Sequence, residues 1–267
     1  MTGAAGLVAR AEVLKLARLL GLPAARLDYL QGCAPEDLAA LRMRVTDVLF
    51  DGDRHRLRRI AEAGKVVPNA LMATIGQKAF GPLLCARLTG LLDPERAVAV
   101  GQRLPAAFLA DVAAELDPRR ATGVIVGMPI ELLTAVAGIL AERGETVAMG
   151  RFVAFLPDAT LAACTAQIDD ASLLRTAFVL EGKDRLDHVI ALLPDERLAR
   201  VLDVVAEQEL WVEALDLLAH LGDVQLDRLA GLADGRDPAP YAGLVAAAQE
   251  HGVPEVVSRA RAHGLAL

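Results

Sequence analysis

Aromatic side chains make up only 3% of this 267-residue chain. With so few aromatics, and with alanine and leucine so frequent, closely packed helices suit the composition better than a β-sheet. Lysine is also scarce, at positions 15, 65, 78 and 183 alone, while arginine is common. Only three cysteines occur, Cys33, Cys85 and Cys164, with no CxxC pair. An odd, scattered set excludes a disulfide framework and reads as reduced, mostly buried thiols. Long hydrophobic runs are missing too. The longest uncharged stretches, such as residues 66–77 and 121–130, fall short of the roughly 18 to 20 apolar residues that a membrane span requires. No basic segment followed by a signal core opens the chain, so the expectation is a cytoplasmic protein without a transmembrane segment.

Catalytic groupings are equally absent. No two of His55, His188, His220, His251 and His263 stand at i, i+3 or i, i+4, so no helical face offers two imidazoles to a metal. Asp51, Asp53 and Glu62 hint at a calcium loop, but position 55 is histidine and position 56 lacks the required glycine. A capping turn is the simpler reading, with Asp53 capping a helix over 54–63. No GxSxG turn, phosphate loop or zinc motif occurs. The sequence therefore offers no catalytic residue, no cofactor site and no metal site, and predicts a non-enzymatic protein.

What is there is a repeat. Residues 92–115, LDPERAVAVGQRLPAAFLADVAAE, align with residues 116–139, LDPRRATGVIVGMPIELLTAVAGI, at ten of 24 positions. A fixed period of this size marks a stacked repeat architecture. Prolines recur 11 residues apart within each copy, at 94 and 105 and again at 118 and 129. Proline is tolerated at the first position of a helix, and a preceding Asp can cap it, so Asp93-Pro94 and Asp117-Pro118 read as N-cap and N1. Short helices are expected to start at Pro94, Pro105, Pro118, Pro129, Pro157 and Pro194. Such helices are marginal alone and must stack, with Val98, Val100, Leu109 and Val112 supplying apolar faces. Gly123 and Gly127 form a GxxxG spacing that permits close helix packing.

Beyond the repeat, the Leu-Pro-Asp of 156–158 recurs at 193–195, and 185–192 resembles 225–232. Residues 234–238 break the chain before two further helices. The expected fold class is all-α, an α-solenoid of short helical repeats. It divides into an N-terminal helical region (1–80), the repeats (81–234) and a C-terminal cap (235–267).

The Leu-Asp-Pro-x-Arg-Ala units at 92–97 and 116–121, with the Leu-Pro junctions at 156–157 and 193–194, resemble the cytosolic N-terminal domain of MgtE-type magnesium channels. The flagellar motor switch protein FliG carries related armadillo-like helices. This resemblance spans about residues 82–232. It implies a right-handed superhelix used for interaction or regulation, here without the channel.

Charge supplies the remaining functional signals. Residues 1–90 carry 13 Lys/Arg and 8 Asp/Glu, whereas 91–267 carry 15 and 27. That distribution argues against general nucleic-acid binding. Arg54, His55, Arg58 and Arg59 form a broad basic helical face. It reads as a solvated surface, a partner for the chain's own acidic part, or a docking face for an acidic protein or an anionic headgroup. Glu207, Glu209, Glu213 and Asp216 surround Trp211, a solvated stretch or a partner surface anchored by that aromatic. The first functional expectation is a protein-interaction or regulatory scaffold, self-association included. The alternative is a carrier of a lipid or acyl chain, in a groove over residues 66–92 lined by Ile75, Phe80, Leu83, Leu84, Leu88 and Leu91.

Overall fold

Short helices dominate the chain because proline, glycine and Asp caps interrupt it every ten residues or so. The computed structural model describes residues 3–267; Met1 and Thr2, at the start of the 1–80 segment, lie outside the described residues. Among the described residues there are eighteen α-helices and no strand, so the fold is all-α. The chain runs α1 (Gly3–Leu20), α2 (Pro35–Asp51), α3 (Arg54–Gly64), α4 (Asn69–Ile75), α5 (Gly81–Thr89) and α6 (Pro94–Gly101). It continues through α7 (Ala106–Glu115), α8 (Thr122–Gly127), α9 (Ile130–Glu142), α10 (Thr146–Phe152), α11 (Asp158–Thr165) and α12 (Asp170–Phe178). The last six are α13 (Leu186–Ala191), α14 (Asp195–Glu207), α15 (Trp211–His220), α16 (Asp223–Ala233), α17 (Ala242–Glu250) and α18 (Pro254–Ala262). No helix among the described residues is long and apolar enough to cross a membrane.

Two compact units emerge: unit 1 comprises residues 1–44 with 169–267, and unit 2 comprises residues 45–168. This division by contact differs from the three segments read in the sequence. In unit 2 alternate helices pack in rows, α5 on α7, α7 on α9 and α9 on α11, with α4, α6 and α8 forming another. In unit 1 α12 packs on α14 and α15, α14 on α16, and α15 on α17 and α18.

The prolines mark helix starts, but at four of the six the helix begins one residue later than expected. Pro94 is the first helical residue of α6, behind Asp93, whose side chain accepts from the Arg96 amide. Pro118 opens a short 3-10 turn, Pro118–Arg120, and α8 begins only at Thr122. Pro105, Pro129, Pro157 and Pro194 are instead N-caps with extended backbones, such as φ −61°, ψ 142° at Pro105. No side chain that could cap precedes these four, since Leu104, Met128, Leu156 and Leu193 are apolar. The proline carbonyl itself then accepts the first helical bond, from Leu109, Leu133, Leu161 and Leu198 at 2.8–3.1 Å. Asp53 likewise precedes α3 without a side-chain cap; it pairs with Arg56 at 3.6 Å instead. The GxxxG glycines let α8 sit close on α6: a Cβ at Gly123 would meet Pro94 at 3.2 Å and one at Gly127 would meet Val98 at 3.0 Å.

Unit 1 joins the two ends of the chain around α1, whose buried residues include Leu7, Val13 and Leu16 but also Glu12 and Lys15. Glu12 accepts from Lys15 at 2.6 Å and from Arg42 at 2.8 Å, and Arg42 also reaches Glu181 at 2.8 Å. Nearby Lys183 donates to the Ala177 and Phe178 carbonyls at 2.8 and 2.7 Å and pairs with buried Asp216. Burial alone would raise the Glu12 pKa, yet the two cations outweigh it and hold the carboxyl below its ordinary range. Its stabilising contribution is therefore complete above the ordinary glutamate range and is lost as pH falls through the lowered value. We expect Glu12→Gln to cost about 3–5 kcal/mol at neutral pH, because two cations lose their buried partner. The deficit should shrink in acid, where the wild type also loses the charge. Urea denaturation at neutral and acidic pH reads this directly; a deficit independent of pH contradicts it.

Candidate functional site

The repeat that is visible in the sequence builds the wall of a cavity. Within unit 2 an apolar space of about 390 Å³ is bounded by side chains of α3 to α10. Equivalent positions of the two repeat copies line it in pairs: Leu92 and Leu116, Val100 and Val124, Gly101 and Ile125, Leu104 and Met128, Leu109 and Leu133, Val112 and Val136. No charged side chain lines it. Small residues at Ala61, Gly64, Gly76, Ala97, Gly101 and Ala113 face the same space. They remove the bulk that would otherwise fill it.

Protein interiors normally pack without voids larger than a water molecule. At about 24 cal/mol per Å³, an enclosed void of this size would cost about 9 kcal/mol, comparable with the whole stability of a domain. A space of this volume, partly open to solvent, instead falls in the range of small-molecule sites. Ile60 and Phe80, both lining residues and both more than a third exposed, mark its rim. A surface depression in unit 1 encloses about 470 Å³, but only seven residues line it and Arg10, Asp28 and Gln31 are among them. It is a polar dish. The core of unit 1 keeps a space of only about 60 Å³.

One wall has unusual backbone geometry. α4 runs into a π-helical turn, Gly76–Phe80, which ends at Gly81 with φ 75°. Met72, Ile75, Gly76 and Phe80 of this segment all face the cavity. Single π turns widen a helix locally and recur at functional sites. Behind the turn, Cys85 Sγ donates to the Gly76 carbonyl at 3.5 Å and Thr89 Oγ1 to the Cys85 carbonyl at 2.8 Å. Burial pushes the Cys85 thiol up to about 11. It is protonated at neutral pH and is no thiolate nucleophile.

Arg96 clamps the end of α3 beside the cavity. Its guanidinium donates to the Lys65 carbonyl at 2.6 Å, to the Gly64 carbonyl at 2.7 Å and to the Val67 carbonyl, and it meets Met72 Sδ at 3.2 Å. These are carbonyls at the end of α3 and just beyond, where helical partners run out. Arg120, the equivalent residue of the second copy, pairs with Asp51 at 2.8 Å, Asp47 at 3.1 Å and Asp117 at 3.2 Å, and lies over the Phe50 ring. Asp51, of the calcium-like loop, is thereby committed to an ion pair.

The residues singled out from the sequence scatter differently. Arg54, His55, Arg58 and Arg59 are all exposed on the outer side of α3. Trp211 is half-buried, and its indole leaves no room for a side chain at Gly243, where a Cβ would come within 2.6 Å. Asp216, grouped with it as a solvated acid, is buried and engaged by Lys183. Of the expected groove residues, Ile75, Phe80 and Leu88 line the cavity. Leu84 and Leu91 pack instead on the cluster of Leu57, Ala61 and Leu88, and Leu83 is exposed. Among the cysteines only Cys164 is buried, and Cys33 is exposed. Among the described residues no three His, Cys, Asp or Glu side chains come together as metal ligands would. The repeat partners Val124, Leu133 and Val136, the π turn and the Arg96 clamp escaped sequence reasoning. The signal for the first was on view, since the same apolar positions recur in both copies.

Replacing Arg96 with alanine strips three carbonyls of a charged donor at once. We expect a loss of about 2–4 kcal/mol in unit 2 and faster amide exchange in residues 64–68. Arg96→Lys should recover only part, since one ammonium cannot span the fork. Unchanged exchange and unchanged denaturation in Arg96→Ala would show that the clamp carries no load.

No protein-family model, no curated protein and no solved structure matches this chain.

Proposed function

We propose that the protein is a non-enzymatic helical-repeat module whose unit 2 binds the apolar body of a small molecule, a lipid tail or acyl chain. The cavity carries this reading. It is large, lined by paired aliphatic positions and free of charged side chains, and it narrows the ligand to a hydrocarbon body with any polar head left at the Ile60–Phe80 rim. The thiol and hydroxyl near it are both engaged with backbone carbonyls. They add no recognition of a buried polar group. The resemblance to the MgtE N-terminal domain, which implies a superhelical interaction or regulatory domain, is compatible with this reading.

A second reading, a protein-interaction scaffold, is favoured by a separate observation in unit 1. Tyr29 is 76% exposed, and Leu41 and Met43 are 46% and 45% exposed. Exposed large apolar side chains are the usual anchors of protein interfaces.

Neutral n-alkanols of increasing length test the cavity. Each methylene buried adds about 0.8 kcal/mol, so affinity should rise about 4-fold per carbon until the space is full, then level off. Ala113 lines the cavity from α7; Ala113→Trp should abolish binding while keeping or raising Tm, because it fills space already present. Titration calorimetry and thermal melts check both. Affinity independent of chain length, or full binding by Ala113→Trp, would sink the proposal.

A further inference from the structure

The helix that walls the cavity also carries an exposed basic face with few acidic partners. α3 buries Leu57 and Ala61, and turns Ile60, Ala63 and Gly64 toward the cavity. Its outer surface carries Arg54, His55, Arg56, Arg58 and Arg59, all exposed. Arg54 and Arg56 have weak partners in Asp51 and Asp53, at 3.8 and 3.6 Å. Among the described residues Arg58, Arg59 and His55 have no acidic partner.

The imbalance extends around the mouth. From 54 to 92, seven Lys/Arg face one carboxylate, Glu62, and residues 63–92 contain none. Glu62 is itself paired with Lys65 at 2.7 Å. Lys65 and Lys78 are exposed beside the lining residues Gly64 and Phe80. Apolar side chains accompany these charges: Val66 is 89% exposed, Leu71 51% and Ile60 39%. Like charges spaced i, i+4 repel one another, so the chain keeps this face at a cost in stability. Exposed aliphatics interleaved with cations, on a helix with a strong apolar–polar division, match the chemistry of an anionic bilayer surface. An acidic protein would account for the charge but not for a hydrocarbon site directly behind it.

We propose that α3 and the Lys65–Val66 corner dock on an anionic membrane surface, so that an acyl chain passes from the bilayer over the Ile60–Phe80 rim into the cavity. This rests on the apolar-ligand reading above and adds the source of the ligand. The positive face gathers anionic headgroups, Val66 and Leu71 enter the interface, and the cavity receives the tail.

The full-length chain is tested by co-sedimentation with phosphatidylcholine vesicles, with and without phosphatidylglycerol, at low and high salt. Binding should require phosphatidylglycerol and fall with salt as the charges are screened. Arg58→Glu with Arg59→Glu should weaken it roughly 25-fold or more, from two lost contacts each worth a factor of about 5. The same variant should bind n-alkanols as the wild type does. Ala113→Trp should show the converse, bound vesicles and no alkanol binding. Wild-type protein that ignores phosphatidylglycerol vesicles, or capture of an acidic protein in their place, overturns the docking proposal. So does vesicle binding unaffected by the double reversal. Vesicle binding without alkanol uptake by the wild type would instead remove the cavity reading on which the proposal rests.

Discussion

Every helix end leaves backbone groups without partners, and this chain is built from ends. From α3 onward the helices span 6 to 13 residues, so a large share of carbonyls has no intrahelical donor. Arginine and lysine from a neighbouring helix, or from the turn that follows the helix, supply missing donors. Arg96 does so at the end of α3, Arg151 at Ala114 of α7, Lys183 at Ala177 and Phe178 of α12, and Arg228 at Ile190 near the end of α13 and at Leu193 just beyond it. The same side chains can also pair with an acid from another helix, as Arg228 does with Asp195 at 2.7 Å and Lys183 does with Asp216. A cation at a helix C-terminus also meets the favourable end of the dipole. The scarcity of lysine then has a physical meaning. One guanidinium has five donors in a fixed fork and can serve two or three carbonyls and a carboxylate together, which an ammonium does less well.

The cavity follows from the same shortness. The two repeat copies pack side by side in unit 2, α6 on α8 and α7 on α9, and both turn the same apolar positions toward one space. Small residues at Ala97, Gly101 and Ala113 leave that space unfilled. The π turn at Gly76–Phe80 widens the remaining wall, and Arg96 fixes the loop that bears Val67. The scaffold is rigid at its joints and sparse at its centre, which keeps a site pre-formed.

Much of this was legible in one dimension. Composition and the Asp-Pro punctuation indicated the all-α class, and helices next to prolines could be placed, whereas α10, α12, α13, α15 and α16, which no proline opens, were not. The GxxxG spacing at 123 and 127 correctly signalled close packing, seen where Pro94 and Val98 crowd both glycines. What escaped was the meaning of spacing across distance. Proline tolerates both helical and extended ψ, so Pro105 and Pro129 were read one residue too late into their helices. Asp216 looks like a surface acid beside three glutamates, yet its partner Lys183 lies 33 positions away. Trp211 looks like an anchor for another molecule until Gly243 is seen beneath its ring. A groove was expected over 66–92, between the N-terminal helices and the repeats, whereas about half of the cavity wall comes from the repeat itself.

An open apolar space next to charged outer faces requires an explanation of why the walls do not collapse inward. Collapse would recover hydrophobic stabilisation at about 25 cal/mol per Å², so something must oppose it. Moving α3 inward would break the hydrogen bonds from Arg96 to the Gly64, Lys65 and Val67 carbonyls, at about 1 kcal/mol each. Moving α8 toward α6 is blocked sterically, since Gly123 and Gly127 already bring the backbones to contact. The joints thus set the distance between the walls, and the side chains inside are too small to span it.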